Sequence, residues 1–213
     1  MANIRFYMTP GSCSTGIHIM LEELELIFEA YIVNLPAGEQ HRPDYLAINP
    51  KGTIPTLVKP DGSAITDYGA IAYWLAQSHG KGRLWPSELD EQVRCLALIN
   101  YMVGTLHMQG YTRIFTPEQY SSEAHDLPRL KAQGEIIVIK GLGIINKQLQ
   151  DRRYLLDDYS IADPTLFYLE FWADKIGLTL PDNCLRHYRT MLQRPVVQQV
   201  LREEGYDPGR LGQ

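Results

Sequence analysis

Every strand-like segment in this chain falls within its first 66 residues, and everything after about residue 88 carries helical periodicity. The strand-like runs are "NIRFYM" (3–8), "FEAYIVNL" (28–35) and "TIPTLVKPDGSAIT" (53–66), the last folding back at Asp61-Gly62, a hairpin signal. Between them, "STGIHIMLEELEL" places Ile17, Leu21 and Leu24 on one helical face, with Ser14 or Thr15 as its cap. "GEQHRPDYLAINPKG" is rich in turn formers and holds one short helix, and "YGAIAYWLAQSHG" reads as a helix closed by Gly80. The order is β-α-β-α-β-β-α. Strands gathered at one end and helices at the other exclude a single alternating sheet. They predict an α+β chain of two units.

The second unit reads as all-helical through residues 88–115, 126–152, 160–177 and 183–205. One segment within it, "EIIVIKGLGII", is β-rich by propensity, but its place in a longer periodic run predicts a helix. "KGRLWPSEL" holds Gly, Pro and Ser and suits a linker. The expected division is 1–80, a linker at 81–88, and 89–213.

A chain of 213 residues can bury two cores of this kind. Its 45% apolar and 21% charged residues are those of a soluble globular protein, and no run is apolar enough to span a bilayer. A net charge of −5 without basic runs argues against nucleic acid as partner. The three cysteines, Cys13, Cys95 and Cys184, are odd in number and far apart. That argues for a reducing, cytoplasmic setting and against both a disulfide framework and a zinc site.

Four places carry candidate chemistry. In "MTPGSCS", Cys13 lies where the first strand turns into a helix. A thiol at a helix N-terminus meets the positive end of the dipole, which lowers its pKa; the alternative is an inert turn cysteine. Pro55 interrupts a β-type run, either as an edge-strand trans proline or as a cis bond after Ile54 that leaves the Ile54 N–H and C=O free to pair with an extended peptide. Asp67 and Tyr68 stand at a helix start, where backbone N–H groups suit a carboxylate and Asp67 can also cap. Asn100 and His107 lie seven residues apart on a helix, hence on one face, with Gly104 between them leaving room for a ligand. Ser160 and Asp163 form a structural S-x-x-D capping box. His18 reads as a helix-face residue, and Trp74, Trp85 and Trp172 as packing.

These motifs together resemble the cytosolic glutathione transferases, and "TPGSCS" is similar to the bacterial beta class. "NPKGTIPTL" resembles N-P-x-G-x-V-P-x-L, "ITDYGAIAYWLA" resembles L-x-E-S-x-A-I-x-x-Y-L, and "SIADPTLF" resembles the family's S/T-x-A-D motif. The resemblance implies a thioredoxin-like first domain and an all-α second domain, a homodimer, detoxification chemistry, and glutathione as co-substrate without a metal. It implies a cis Ile54-Pro55 bond whose Ile54 backbone pairs with glutathione. It places Asp67 and Tyr68 at the γ-glutamyl end, Tyr68 departing from the family's serine. Lys51, Gln40 and His41 fall at the glycine end, and Asn100 and His107 on the helical side. Cys13 ranks first for stabilising the glutathione thiolate, Ser12 second and Tyr7 third, with His107 assisting proton transfer. Tyr111, Arg113, Ile114 and Phe115 would line the electrophile pocket. The expected reaction is conjugation of glutathione to a hydrophobic electrophile. The alternatives are thiol-disulfide exchange or reductive dehalogenation through Cys13, and a non-catalytic ligand carrier.

Overall fold

The structure, a computed structural model, describes residues 3–213. Strand β1 (Ile4–Met8) alternates strictly: Ile4, Phe6 and Met8 are buried, while Arg5 and Tyr7 face the other way. Helix α1 (Ser14–Glu23) follows, burying Ile17, Met20 and Leu21, and returns the chain to β2 (Phe28–Ile32), parallel to β1. A single turn of helix, α2 (Pro43–Leu46), leads to β3 (Thr56–Val58), which runs antiparallel to β1. The expected hairpin joins β3 to β4 (Ala64–Thr66), with Gly62 at φ +85° in its turn. The sheet order is β2-β1-β3-β4, and α3 (Tyr68–His79) packs beside α1. This is the thioredoxin-like βαβαββα arrangement.

The remainder is helical. Helix α4 (Leu89–Tyr101) runs into a π-helical stretch (Met102–Tyr111) and then α5 (Thr112–Phe115). Helix α6 (Leu127–Gln148) is continuous through "EIIVIKGLGII". Its helical period prevails over β propensity because Val138, Leu142 and Ile145, spaced four and three apart, are all buried. Gly134 meets Gly110 of the π stretch so closely that a Cβ on Gly134 would stand 2.6 Å from the Gly110 carbonyl oxygen. Helix α7 (Ala162–Lys175) is buried on every face from Ala162 to Ala173, Asp163 and Glu170 included, and forms the centre of the helical part. Helices α8 (Asp182–Leu192) and α9 (Pro195–Glu203) close the fold, and α1 packs on both α7 and α9. Among the described residues, no helix is long and apolar enough to cross a membrane.

The start of α7 differs from the expected capping box in one arm. The Ser160 N–H donates to Asp163 Oδ2 at 2.8 Å, as a capping box requires. The Ser160 hydroxyl, however, accepts from Ala162 N at 3.3 Å, while the Asp163 N–H bonds the Ser160 carbonyl oxygen. Asp163 Oδ1 also accepts from Leu155 N at 2.9 Å and lies 3.3 Å from His187 Nε2. His187 Nδ1 bonds Glu170 at 2.8 Å. Burial works to lower the His187 pKa, but the Glu170 and Asp163 carboxylates dominate and raise it to about 10. Asp163 therefore anchors a buried charged cluster as well as a helix end.

Candidate functional site

The loop 8–13 and the turn 53–55 meet where β1 ends and β3 begins, the two central strands of the sheet. The Ile54-Pro55 bond is cis, and neither the Ile54 N–H nor its C=O has a backbone partner among the described residues. Cys13 caps α1, and its thiol donates to the Ile54 carbonyl oxygen at 3.8 Å. The Cys13 sulfur and the Ile54 peptide are thus in contact. The expected lowering of the Cys13 pKa is corrected here. Cys13 is only 4% exposed, and desolvation pushes its thiol up to about 12, outweighing the backbone N–H groups of Cys13 and Ser14 that favour the thiolate. Around neutral pH this cysteine is a protonated hydrogen-bond donor.

Its neighbours fall into place differently from their ranking. The Ser12 hydroxyl donates to the Thr9 carbonyl oxygen at 2.6 Å and accepts from Ser14 N at 3.1 Å, so it is engaged in holding the turn. Tyr7 is removed from the thiol-stabilising set. It lies on the face of β1 opposite Phe6, stacked on Tyr31 at 5.0 Å and edge-on to Tyr45 at 5.8 Å. Strand alternation settles this, since Phe6 and Met8 are the residues turned toward α1.

On the other side of Ile54, Lys51 and Asp67 form an exposed ion pair. Asp67 does not cap α3 with its side chain; it occupies φ +72°, ψ 133°, an unusual backbone for a non-glycine residue. Its exposed carboxylate and the first N–H groups of α3 are presented together. The Tyr68 side chain departs from its expected place. It is buried, its ring lies 5.3 Å from that of Tyr168, and its hydroxyl points against Gly16, with no hydrogen-bond partner. Only the Tyr68 backbone N–H is left at the open first turn of α3. His41 lies against Gly52, next to Lys51, and is exposed; Gln40 sits beside it with its Oε1 buried and unpartnered.

The helical wall also needs correcting. From Met102 the chain winds as a π-helix, so a seven-residue spacing no longer returns to one face. Asn100 is exposed on α4, whereas His107 is half-buried against Tyr168 and Trp172, its Nδ1 3.4 Å from the Tyr168 hydroxyl. Burial pushes the His107 pKa down to about 4. A Cβ on Gly104 would meet open space. Of the four expected pocket residues, Phe115 fits best. It is 44% exposed, stacked on Tyr111 and edge-on to Trp172 at 5.3 Å. Tyr111 is wholly buried and donates to the Leu169 carbonyl oxygen, Ile114 packs toward Gly134 of α6, and Arg113 lies over the Tyr120 ring at 4.4 Å. A cavity of about 850 Å³ lies instead among the linker, residues 154–160 and Arg194, and none of the expected glutathione-contacting residues lines it.

Three residues do more than their local sequence shows. Trp172 is the hub of the aromatic group, touching His107, Tyr111, Phe115 and Tyr168, and its indole N–H donates to the Gly11 carbonyl oxygen at 2.8 Å. Glu204 accepts from Gly11 N and Thr15 Oγ1, each at 2.7 Å, and lies 2.9 Å from His18 Nδ1. His18 is therefore no idle helix-face residue. Gly11 takes φ +72°, and a Cβ there would sit 2.0 Å from the Tyr206 hydroxyl, so only glycine fits beneath these C-terminal contacts. The loop bearing Cys13 is thus held from both sides by the helical part of the chain.

The sequence profile of the glutathione S-transferase N-terminal domain matches residues 11–78. Glutathione S-transferase GstA of Escherichia coli O157:H7 is 32% identical over 210 residues, covering 95% of this chain and 99% of its own length. Among solved structures, a glutathione transferase homologue from Sulfitobacter with bound glutathione superimposes with a TM-score of 0.88 at 26% identity, over 95% of this chain and 99% of that one. A beta-class glutathione S-transferase of Sphingomonas chungbukensis does so with a TM-score of 0.82 at 28% identity, over 94% and 98%. With a cysteine at the start of α1, a cis proline before β3 and these relatives across nearly its whole length, the chain belongs to the glutathione S-transferase family.

Proposed function

We propose that this enzyme binds glutathione along the Ile54 edge and conjugates it to a hydrophobic electrophile. Residues 1–80 supply the glutathione site and 89–213 the electrophile wall, joined by the linker 81–88. The Ile54 N–H and the Ile54 C=O, the latter holding only the long bond from the Cys13 thiol, pair with the extended tripeptide in the manner of an added strand. The γ-glutamyl carboxylate meets the N–H groups that open α3, including that of Tyr68, and its ammonium meets Asp67. His41 and Gln40 face the glycine end, while Lys51, paired with Asp67, stands beside the γ-glutamyl end. Asn100 reaches the ligand from α4.

One observation carries the choice of reaction. Burial keeps Cys13 protonated, so it acts as an S–H donor to a neighbouring sulfur anion and not as a thiolate nucleophile. A donor at that point stabilises the thiolate of glutathione, which favours conjugation over disulfide exchange or reductive dehalogenation. His107, held neutral by burial, offers a ring nitrogen as hydrogen-bond partner at the wall formed with Trp172 and Phe115. With chlorodinitrobenzene the glutathione sulfur bonds to the ring carbon, the carbon–chlorine bond breaks, chloride leaves, and the thiol proton passes to solvent.

The working form is a homodimer. Leu89, Val93 and Leu96 make an exposed stripe along α4, 70, 57 and 38% exposed, with Ile136 and Ile139 exposed on α6. Three free, buried cysteines support a cytoplasmic setting and a detoxifying role there. The test is conjugation of glutathione to chlorodinitrobenzene by wild type and by Ile54→Pro, which removes the N–H offered to the tripeptide. Saturable turnover in the wild type with a raised glutathione KM in the variant supports the reading. No turnover by a wild type that still binds glutathione rejects conjugation.

A further inference from the structure

Outside the site just described, His18 and Glu22 stand one helical turn apart on α1 and face Glu203 at the end of α9. One ligand atom from each lies within 4.8 Å of the others. His18 is 5% exposed, so its imidazole is fixed in place. Its Nδ1 lies 2.9 Å from Glu204 Oε1. A carboxylate only accepts, so Nδ1 carries the hydrogen in that bond. Glu204 is itself locked, its other oxygen accepting from Gly11 N and Thr15 Oγ1. The remaining ring nitrogen, Nε2, makes no hydrogen bond and points at Glu203 Oε2, 3.3 Å away. In the neutral ring this is a lone pair aimed at a carboxylate oxygen: two acceptors with no donor between them.

The surrounding charge has the same demand. Glu22, Glu203 and Glu204 bring three carboxyl groups to one imidazole. The Gln199 amide nitrogen reaches both Glu22 Oε2, at 3.2 Å, and Glu203 Oε1, at 2.9 Å. One neutral amide thus spans two carboxylates that would otherwise repel. A histidine whose far nitrogen is held by a carboxylate is the usual outer-shell arrangement of a metal ligand, because that bond fixes the tautomer and raises the basicity of the coordinating nitrogen.

We infer that His18 Nε2, Glu22 and Glu203 form a binding site for a divalent transition-metal cation, with Glu204 orienting the histidine. One imidazole and two carboxylates suit Zn²⁺ and its first-row neighbours better than Ca²⁺ or Mg²⁺, which favour all-oxygen sets. The ion would clamp α1 to α9 and, through Glu204, fix the Gly11 turn that leads to Cys13. The site is separate from the glutathione edge and does not depend on the reaction catalysed there.

The probe is Zn²⁺ alone, titrated calorimetrically into the chelator-treated full chain at neutral pH, with wild type, Glu203→Gln and Glu22→Gln compared. Glu203 is 44% exposed at its side chain and glutamine is isosteric, so its variant keeps the fold. The expected result is one saturable site, weakened at least tenfold in each variant, with a Zn²⁺-dependent rise in wild-type Tm that both variants lose. Co²⁺ should give weak visible bands without a sulfur charge-transfer band. Absence of saturable binding overturns the inference. Binding undiminished in both variants, or a sulfur charge-transfer band, overturns it as well, since the ion then sits on other groups.

Discussion

Glu204 joins the last residues of the fold to the loop that carries Cys13, and its removal has a calculable effect. Its carboxylate accepts three hydrogen bonds, from Gly11 N, Thr15 Oγ1 and His18 Nδ1, all within 2.9 Å, and is buried. Hydrogen bonds to a charged group contribute about 1.5 kcal/mol or more each, and burying the carboxylate offsets part of that. Glu204→Ala should therefore lower stability by about 3 kcal/mol, since it leaves three donors facing a void. For a chain of this length that is a fall in Tm of about 6–12 °C. Glu204→Gln separates charge from shape. Its amide oxygen can still accept from Gly11 N and Thr15, while its NH₂ faces His18 Nδ1, which can become the acceptor if the ring changes tautomer. Glutamine should cost only about 1 kcal/mol. Thermal unfolding by circular dichroism, with urea titration as a second measure, reads both. A loss below about 1 kcal/mol in the alanine variant, or equal losses in the two variants, would refute the reasoning.

Four further outcomes follow from named contacts. Tyr68→Phe removes a buried hydroxyl without a partner, so Tm should stay level or rise and the glutathione KM should not change; a raised KM would give the hydroxyl a ligand. Iodoacetamide should alkylate Cys13 in the ligand-free protein far more slowly than a free cysteine near neutral pH, because its pKa stands at about 12; mass spectrometry of the labelled peptide reads this, and fast labelling contradicts it. His107 titrates near 4 in the fold against 6.5 in an unfolded chain, so the unfolded state binds the extra proton first. Stability from this group is present above about pH 6.5 and falls as pH drops toward 4; His107→Gln should flatten that part of the Tm profile. His187 runs the opposite way: raised to about 10, it contributes fully below pH 6.5 and its contribution is lost as pH rises through 10, a decline that His187→Gln should abolish.

The fold was legible because its signals are local. Alternation in "NIRFYM", the Asp61-Gly62 turn and the periodicity through α6 each depend on neighbours a few residues away. The site was legible only in outline. Cys13, Ile54 and Asp67 stand in short motifs, and the structure brings Cys13 to Ile54. What was missed depends on distance in sequence. Trp172 reaches Gly11 across 161 positions and Glu204 reaches it across 193, so no window on either residue shows the contact. The Cys13 pKa was read with the wrong sign for the same reason: the helix dipole is visible in the local sequence, whereas the burial that outweighs it comes from the rest of the fold. The π-helical turn shifted His107 away from Asn100 because a seven-residue spacing assumes an α-helix throughout. Tyr68 was placed at a ligand by motif position, but an aromatic ring there gains more by packing on Tyr168.

The proposed reaction requires that glutathione lie on the Ile54 edge as a thiolate, with protonated Cys13 as the donor to its sulfur. The direct measurement is the ultraviolet absorbance of the bound glutathione thiolate, titrated against pH in wild type and in Cys13→Ala. The account predicts a bound thiol whose pKa lies below that of free glutathione in the wild type and moves back up in the variant, with glutathione still bound. An unshifted pKa in the wild type, or the same lowered pKa in both proteins, would contradict it.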